Sequence, residues 1–257
     1  MLLVIDAGNT NTVFAVYDGT ELKGKWRISS DGQRTADEYS VWLNQVLTFD
    51  GLALSTIHAA IISSVVPPAL PNLTQLCEKV LKCHPLIVGS PQVVLGLDVR
   101  IDEPSAVGAD RLANAVGAHA KFSGALIVLD FGTATTLDII APDGAYEGGV
   151  IAPGVNLSVE ALHMAAAKLP PITVERPDKV IGRSTVQAMQ SGVFWGYIGM
   201  IEGLVARIEE EYGESATVIA TGGLSRLFCE STAIIEYVEE DLTIEGLRIL
   251  YERNEKT

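Results

Sequence analysis

Three aspartates stand where residue types and spacing could do chemistry. Asp6 and Asp130 each end a short apolar run, LLVI at 2–5 and LIVL at 126–129. Each then opens a loop of small polar residues, DAGNTNT at 6–12 and DFGTATT at 130–136. Glycine at positions 8 and 132 reaches backbone angles closed to other residues and lets a phosphate approach the chain. Asn9, Thr10 and Thr12, with Thr133, Thr135 and Thr136, supply N–H and hydroxyl donors without bulk. The carboxylates alone repel phosphate, but they suit a cation that bridges to it. Taken singly, either loop is as well read as an ordinary Asp-Gly turn. The third aspartate lies in VGADRLANA at 107–115. Gly108 starts an expected helix on which Asp110 and Asn114, four apart, share a face, with Arg111 in the same turn. A carboxylate near an acceptor hydroxyl can take its proton during phosphoryl transfer. An adjacent arginine can hold an acidic substrate in bidentate fashion. A surface ion pair at a helix start accounts for the same residues.

Two absences narrow the chemistry. The chain has no G-x-x-x-x-G-K-[ST], the ATP loop that leads into a helix, and no G-x-G-x-x-G between a strand and a helix. Both aspartate loops instead read strand–D-x-G–strand, the turn of a hairpin. They are also related to each other. At an offset of 130 − 6 = 124, LLVIDAGNTNTVFAV lies over LIVLDFGTATTLDII without a gap. Leu2/Leu126, Val4/Val128, Asp6/Asp130, Gly8/Gly132 and Thr12/Thr136 are identical pairs. The offset is nearly half the 257 residues, so one module is expected twice.

The elements that must position these loops follow an α/β pattern, short Val/Ile-rich runs alternating with longer amphipathic segments. Strands are expected at 2–6, 12–18 and 21–29, with Asp18-Gly19 turning between the last two. A helix is expected from Thr35, capped with Glu38 three residues on. A buried strand at 58–65, a helix at 70–82, a short strand at 86–88 and a Gly/Pro-punctuated crossover at 89–107 follow. The second half repeats the plan, with strands at 125–130, 135–140 and 145–151 and an Asp143-Gly144 hairpin turn. A long helix is expected at 185–212, then a strand at 217–220 running into Thr221-Gly222-Gly223 and two short helical segments. Gly192, Gly196, Gly199 and Gly203 form a stripe on the long helix, suited to packing within the chain or to a subunit interface.

The totals bound the class. With 18 Lys+Arg against 32 Asp+Glu, the formal net charge of −14 disfavours nucleic acid as a partner. A small anion remains compatible, since backbone N–H groups and a metal ion make a local positive site. Cys77, Cys83 and Cys229 fit no C-x-x-C pattern and read as reduced thiols of a cytoplasmic protein. No signal peptide or membrane-spanning run is expected.

Paired phosphate hairpins, one per half with ATP between them, resemble the plan of the actin-like ATPase and sugar-kinase superfamily. That plan also expects a Gly-Gly turn near the adenosine, where TGG stands at 221–223. The implied fold is α/β, with duplicated ribonuclease H-like halves, each a mixed β-sheet flanked by helices, and ATP in the cleft. The halves are expected at 1–107 and 108–257, with a boundary within 89–124. Over essentially its whole length the chain resembles the type III pantothenate kinases. The likeness is carried by DAGNTNT at 6–12, SSVVP at 63–67, VGADRLANA at 107–115 and DFGTATTLD at 130–138. GGVIAPG at 148–154, AAKLP at 166–170, IGRSTVQAMQSG at 181–192, TGGL at 221–224 and DLTIEGLRILYERN at 241–254 continue it.

The resemblance implies ATP-dependent phosphorylation of pantothenate to 4′-phosphopantothenate, the first step of coenzyme A synthesis. It implies that Asp6, Ala7, Gly8, Asn9, Thr10, Asn11, Thr12 and Val13 bind ATP, with Thr133 contacting it from the second loop. Asp130 is implied as ligand of a monovalent cation, K⁺ or NH₄⁺, with Mg²⁺ accompanying ATP and Asp6 its closest carboxylate. Asp110 is implied as the base, and Gly108, Ala109, Asp110 and Arg111 as the lining of the pantothenate pocket, with Thr185 contributing. A homodimer is implied as well. Many relatives carry an aromatic residue in a Y-x-N-P stretch where this chain has Ile101-Asp102-Glu103-Pro104. Ile101 offers that pocket apolar contact but no phenolic hydrogen bond. Other small-molecule kinases and phosphatases of the superfamily share the loops, and relatives known as Bvg accessory factors are linked to regulation. Retention of Asp6, Asp110 and Asp130 favours catalysis.

Overall fold

The computed structural model describes residues 1–166 and 169–255; Ala167 and Lys168 of the AAKLP stretch lie outside the described residues. The chain opens with β1 (Leu2–Ala7), β2 (Asn11–Asp18), β3 (Glu21–Ser29) and α1 (Ala36–Phe49). It continues through β4 (Ala59–Ser64), α2 (Leu70–Gln75), β5 (Leu86–Ile87) and α3 (Ala109–Lys121). Then come β6 (Leu126–Phe131), β7 (Ala134–Ile140), β8 (Tyr146–Pro153), α4 (Val155–Ala165) and α5 (Thr185–Tyr212). β9 (Thr217–Gly222), α6 (Ser225–Cys229), β10 (Tyr237–Val238) and α7 (Leu242–Glu255) complete it.

The expected duplication is plain in the sheets. One is ordered β3-β2-β1-β4-β5, and the other, from the matching edge, β8-β7-β6-β9-β10. In each, the central strand, β1 or β6, pairs antiparallel with the next strand, β2 or β7, and parallel with the third after it, β4 or β9. The gapless alignment of the two loops needs correction. Thr12 stands opposite Ala7, whereas Thr135 stands opposite Phe131. The first turn therefore spans 8–11 and the second 132–134, one residue shorter. By register the counterpart of Thr12 is Thr135, and consecutive threonines at 135 and 136 hide the shift in sequence.

By contacts, Met1–Lys121 and the segment from Leu242 onward form one compact unit, and Phe122–Asp241 a second. Strands β1–β5 fall in the first unit and β6–β10 in the second. Helices α3 and α7 belong with the first sheet. β1 is apolar without alternation because both its faces are covered. Leu3, Ile5 and Ala7 pack with Phe14, Tyr39, Leu43 and Leu73, while Leu2 and Val4 pack with Ala113, Val116, Leu247 and Leu250. In the second unit Ile127, Leu129 and Phe131 pack with Phe194, Ile201 and Phe228.

Local signals place the helix ends. The Thr35 hydroxyl accepts from the Glu38 N–H and the Glu38 carboxylate accepts from the Thr35 N–H, the reciprocal cap expected of α1. Ser184 caps α5, and Gly213 ends it at φ 88°. The helix expected over 70–82 is α-helical only to Gln75, then winds wider through a π turn at Leu76–Leu81. Cys77 lies there with its thiol pushed up to about 12 by burial, so it stays protonated. Helix α4 and strand β10 are additions to the sequence reading. The second of the two segments read as short, α7, is a full 14-residue helix. On α5, a Cβ added at Gly192, Gly196 or Gly199 meets nothing within 4 Å, so these glycines serve no packing within the described chain.

Helices α3 and α7 meet backbone to backbone. A Cβ at Gly117 would lie 2.8 Å from the Leu242 carbonyl oxygen, and one at Gly246 would fall on the carbonyl of Ala113. Thr243 donates to Asn114 at 2.7 Å, so the buried Asn114 amide is used in this packing. In an exposed helix Gly→Ala gains roughly 1 kcal/mol. Here the methyl meets rigid backbone, and overpacking costs about 1–3 kcal/mol beyond that gain. Gly246→Ala is therefore expected to lower unfolding stability, read as an earlier urea midpoint; an unchanged or later midpoint refutes this close approach.

Candidate active site

Each DxG aspartate belongs to the central strand of its sheet, one residue before the strand ends. Strand alternation puts Asp6 on the face of Leu2 and Val4. Its register neighbours are Val13 on β2 and Ser63 on β4. Asp130 has the same situation, between Thr136 on β7 and Thr221 on β9. The sequence reading carried Ser63 and Thr221 within the SSVVP and TGG stretches but did not place either beside an aspartate. Ser63 is fully buried, and among the described residues its hydroxyl has no hydrogen-bond partner. Only the pairing of strands more than 50 residues apart shows it.

In the first loop the Gly8 N–H donates to Asn11 O at 3.1 Å, and a Cβ at position 8 would sit 3.2 Å from that oxygen. Ala7 is buried and Val13 half-buried, while Asn9, Thr10 and Asn11 are exposed. Thr12 is fully buried, and its hydroxyl lies 3.0 Å from that of Ser30. In the second loop the Gly132 N–H donates to Ala134 O at 3.0 Å, and Thr133 is exposed. The Thr135 hydroxyl is buried without a hydrogen-bond partner among the described residues. Gly154, after β8, presses on this loop so closely that a Cβ would fall on the Thr133 carbonyl. Gly222 ends β9 at φ 87°, and a Cβ there would lie 2.5 Å from Asp130 Oδ1. Glycine at 222 thus gives the Asp130 carboxylate its room.

Asp110 occupies the first turn of α3, where the helix N-terminus favours negative charge. Its Oδ1 accepts from the Arg111 N–H at 2.8 Å. A Cβ at Gly108 would lie 2.5 Å from that same oxygen, so only glycine lets the carboxylate fold over the helix start. Burial raises the Asp110 pKa above the ordinary aspartate value, opposed by the backbone N–H and guanidinium of Arg111. Ala109 is buried and Arg111 half-exposed.

Val65 joins this helix start to the first loop. Its N–H donates to Ala7 O at 3.0 Å, and its Cγ1 would be 3.4 Å from a Cβ at Gly108. The SSVVP and VGADR stretches thereby converge on the end of β1. Ile101 is half-buried in the irregular chain before the 3₁₀ turn at Pro104–Ala106. In the second unit, Thr185 is the exposed first residue of α5.

These groups fit a nucleotide with cations. Each turn carries backbone N–H and hydroxyl donors of the kind that suit phosphate, and an aspartate of the kind that suits a cation. Among the described residues no three His, Cys, Asp or Glu side chains gather as a metal cluster. A lone carboxylate is what Mg²⁺ needs when phosphate oxygens and water complete its shell. Also among the described residues, no helix is long and apolar enough to cross a membrane.

Comparison with known proteins agrees with this chemistry. The profile of the type III pantothenate kinase family matches residues 2–207. A protein of Paramagnetospirillum magneticum named Type III pantothenate kinase is 59% identical over 254 residues, covering 99% of this chain and 98% of its own. One of that name from Caulobacter vibrioides is 56% identical over 256 residues, with 99% and 98% covered. Among solved structures, a Sinorhizobium meliloti protein described as a 2-dehydro-3-deoxygalactonokinase shares 12% identity at a TM-score of 0.62, with 100% of this chain and 96% of its own covered. A Campylobacter jejuni protein described as a conserved Baf family transcriptional activator shares 19% identity at 0.62, with 99% and 100% covered. At those identities the likeness speaks to fold, and the fold is the duplicated ribonuclease H-like one of the actin-like ATPases and sugar kinases. The two hairpins, the helix-start carboxylate and the full-length match lead to one conclusion: this chain belongs to the type III pantothenate kinase family.

Proposed function

We propose that this protein is a pantothenate kinase, transferring the γ-phosphoryl group of ATP to pantothenate to give 4′-phosphopantothenate at the start of coenzyme A biosynthesis. The observation that carries the reading is identity of 52–59% across 99% of the chain to proteins named Type III pantothenate kinase. The three free thiols fit a cytoplasmic setting.

Within this reading, Asp6, Ala7, Gly8, Asn9, Thr10, Asn11, Thr12 and Val13 hold ATP, and Thr133 adds a contact. Gly108, Ala109, Arg111 and Thr185 hold pantothenate, and Ile101 contributes apolar contact only. Asp110 orients the primary hydroxyl and takes its proton during in-line attack. Burial suits it to this, since a raised pKa makes the carboxylate a stronger proton acceptor. Asp6 is the carboxylate for Mg²⁺ and Asp130 for K⁺ or NH₄⁺. Bound there, these cations offset polyphosphate charge that a protein of net charge −14 would otherwise repel.

ADP release measured with pantothenate present or omitted, in potassium and magnesium, tests the assignment. Release should depend on pantothenate; pantothenate-independent or absent release defeats it. Asp110→Asn should cut kcat by about 10²–10⁴ while ATP still binds. Asp110 must be ionised to act and its pKa is raised, so the acid limb of kcat/KM should lie above that of an ordinary aspartate. The same shift means that ionised Asp110 opposes folding at neutral pH, and the Asn variant should unfold no earlier than the wild type. Near-normal turnover in that variant removes Asp110 from the role of base.

Replacing potassium by sodium should depress the rate, and the residual activity of Asp130→Ala should no longer distinguish the two salts. Equal wild-type rates in both salts count against the cation role.

Gly192, Gly196 and Gly199 of α5 are exposed and pack on nothing among the described residues, which supports a homodimer closing over them. Light scattering should give twice the chain mass for the wild type and a shift toward the single-chain mass for Gly196→Leu. A wild-type protein of single-chain mass rejects the dimer.

A further inference from the structure

The first hairpin is held by a residue outside it that no motif includes. Ser30 follows β3 and makes three hydrogen bonds to the loop. Its N–H donates to Thr10 O at 3.0 Å, its hydroxyl donates to Gly8 O at 2.5 Å, and its Oγ lies 3.0 Å from Thr12 Oγ1. A serine hydroxyl has one proton to give. That proton goes to Gly8 O, so the Thr12 hydroxyl donates in the third bond.

These bonds decide which way the loop peptides face. A trans peptide is planar, and its C=O and N–H leave opposite edges. With Gly8 C=O turned toward Ser30, the N–H of Asn9 in the same peptide points away. With Thr10 C=O turned toward Ser30, the N–H of Asn11 does likewise. Asn9, Thr10 and Asn11 are exposed, so donors directed away from Ser30 belong to residues a ligand can reach. Ser30 is itself well anchored. Arg34 Nη1 donates to Ser29 O at 2.7 Å, the Gln33 N–H donates to Asp31 Oδ1 at 2.9 Å, and the capped start of α1 follows.

The second hairpin lacks this device. Ser29 pairs with Asn11 and Pro153 with Ala134, so the next residues, Ser30 and Gly154, hold equivalent places. Gly154 has no side chain, and Thr135, the counterpart of Thr12, has a buried hydroxyl without a hydrogen-bond partner among the described residues. Gly154 meets the second turn through its backbone, so the hydroxyl latch from this position belongs to the first.

We propose that Ser30 is a positioning residue for nucleotide binding, latching the Gly8 and Thr10 carbonyls so that the Asn9 and Asn11 N–H groups are presented to the polyphosphate of a nucleoside triphosphate. This rests on the reading of residues 6–13 as the ATP loop. Binding of Mg²⁺-ATP to the full-length protein, without pantothenate, tests it by calorimetry for wild type, Ser30→Ala, Ser30→Thr and Ser30→Val. Thr and Val share a shape and differ in the hydroxyl, which separates the latch from packing. Ala and Val should weaken ATP binding about 10-fold, the scale of one hydrogen bond to a positioned group. Thr should stay within about threefold of wild type, and KM for pantothenate should remain within about twofold throughout. Wild-type affinity in the Ala variant, or equal affinities for Thr and Val, overturns the latch. An equal rise in both KM values overturns it too, since a general loss of structure does not single out ATP. If wild type binds ATP but releases no pantothenate-dependent ADP, the proposed reaction fails, and the binding series still decides the role of Ser30.

Discussion

A backbone N–H can serve a ligand only if the protein has not already spent it, and that constraint organises the first hairpin. Tight turns tend to close on themselves, as Gly8 does on Asn11 and Gly132 on Ala134. The next peptides must face outward while their carbonyls are satisfied from behind. Around residues 8–12 Ser30 does this with one N–H and one hydroxyl. Ser30 in turn depends on the end of β3 and the capped start of α1. The orientation of a few peptide planes therefore rests on the pairing of β2 with β3 and on the core beneath them, where Phe14 meets Tyr39 and Trp42.

Charge follows from the same economy. The chain carries an excess of carboxylates, yet its proposed substrates are anions. Oriented peptide dipoles and cations at single aspartates create positive potential locally, without basic side chains in the loops. Asp110 is tuned the other way. Burial raises its pKa, and the first turn of α3 with Arg111 keeps the charged form accessible. Glycine does related work at two carboxylates: Gly108 leaves room for Asp110 and Gly222 for Asp130. A side chain at either place would meet the carboxylate oxygen before any substrate could.

Sequence determined whatever depends on neighbours along the chain. The central strands, the reciprocal cap of Thr35 and Glu38, the span of α5 and the two DxG turns are visible because their physics is local: periodicity, capping and small polar turn residues. Duplication is visible because copied residues keep their spacing. The aspartates and VGADR were legible as chemistry for that reason, and the family resemblance supplied roles that spacing alone left open.

Tertiary structure decided what depends on pairing between distant segments. The one-residue difference between the turns, and so the match of Thr12 to Thr135, appears only in strand register. Ser63 beside Asp6, Val65 between Ala7 and Gly108, and Ser30 behind Gly8 are all contacts set by which strands lie side by side. Helix α4 was missed because few of its apolar residues are buried, Val155 and Val159, leaving a weak period to read. Helix α7 joins the first sheet because Gly246 fits against Ala113 and Gly117, residues far from it in sequence. A linear reading sees periods and caps; steric fit and hydrogen bonding across more than a hundred residues exist only once the chain has folded.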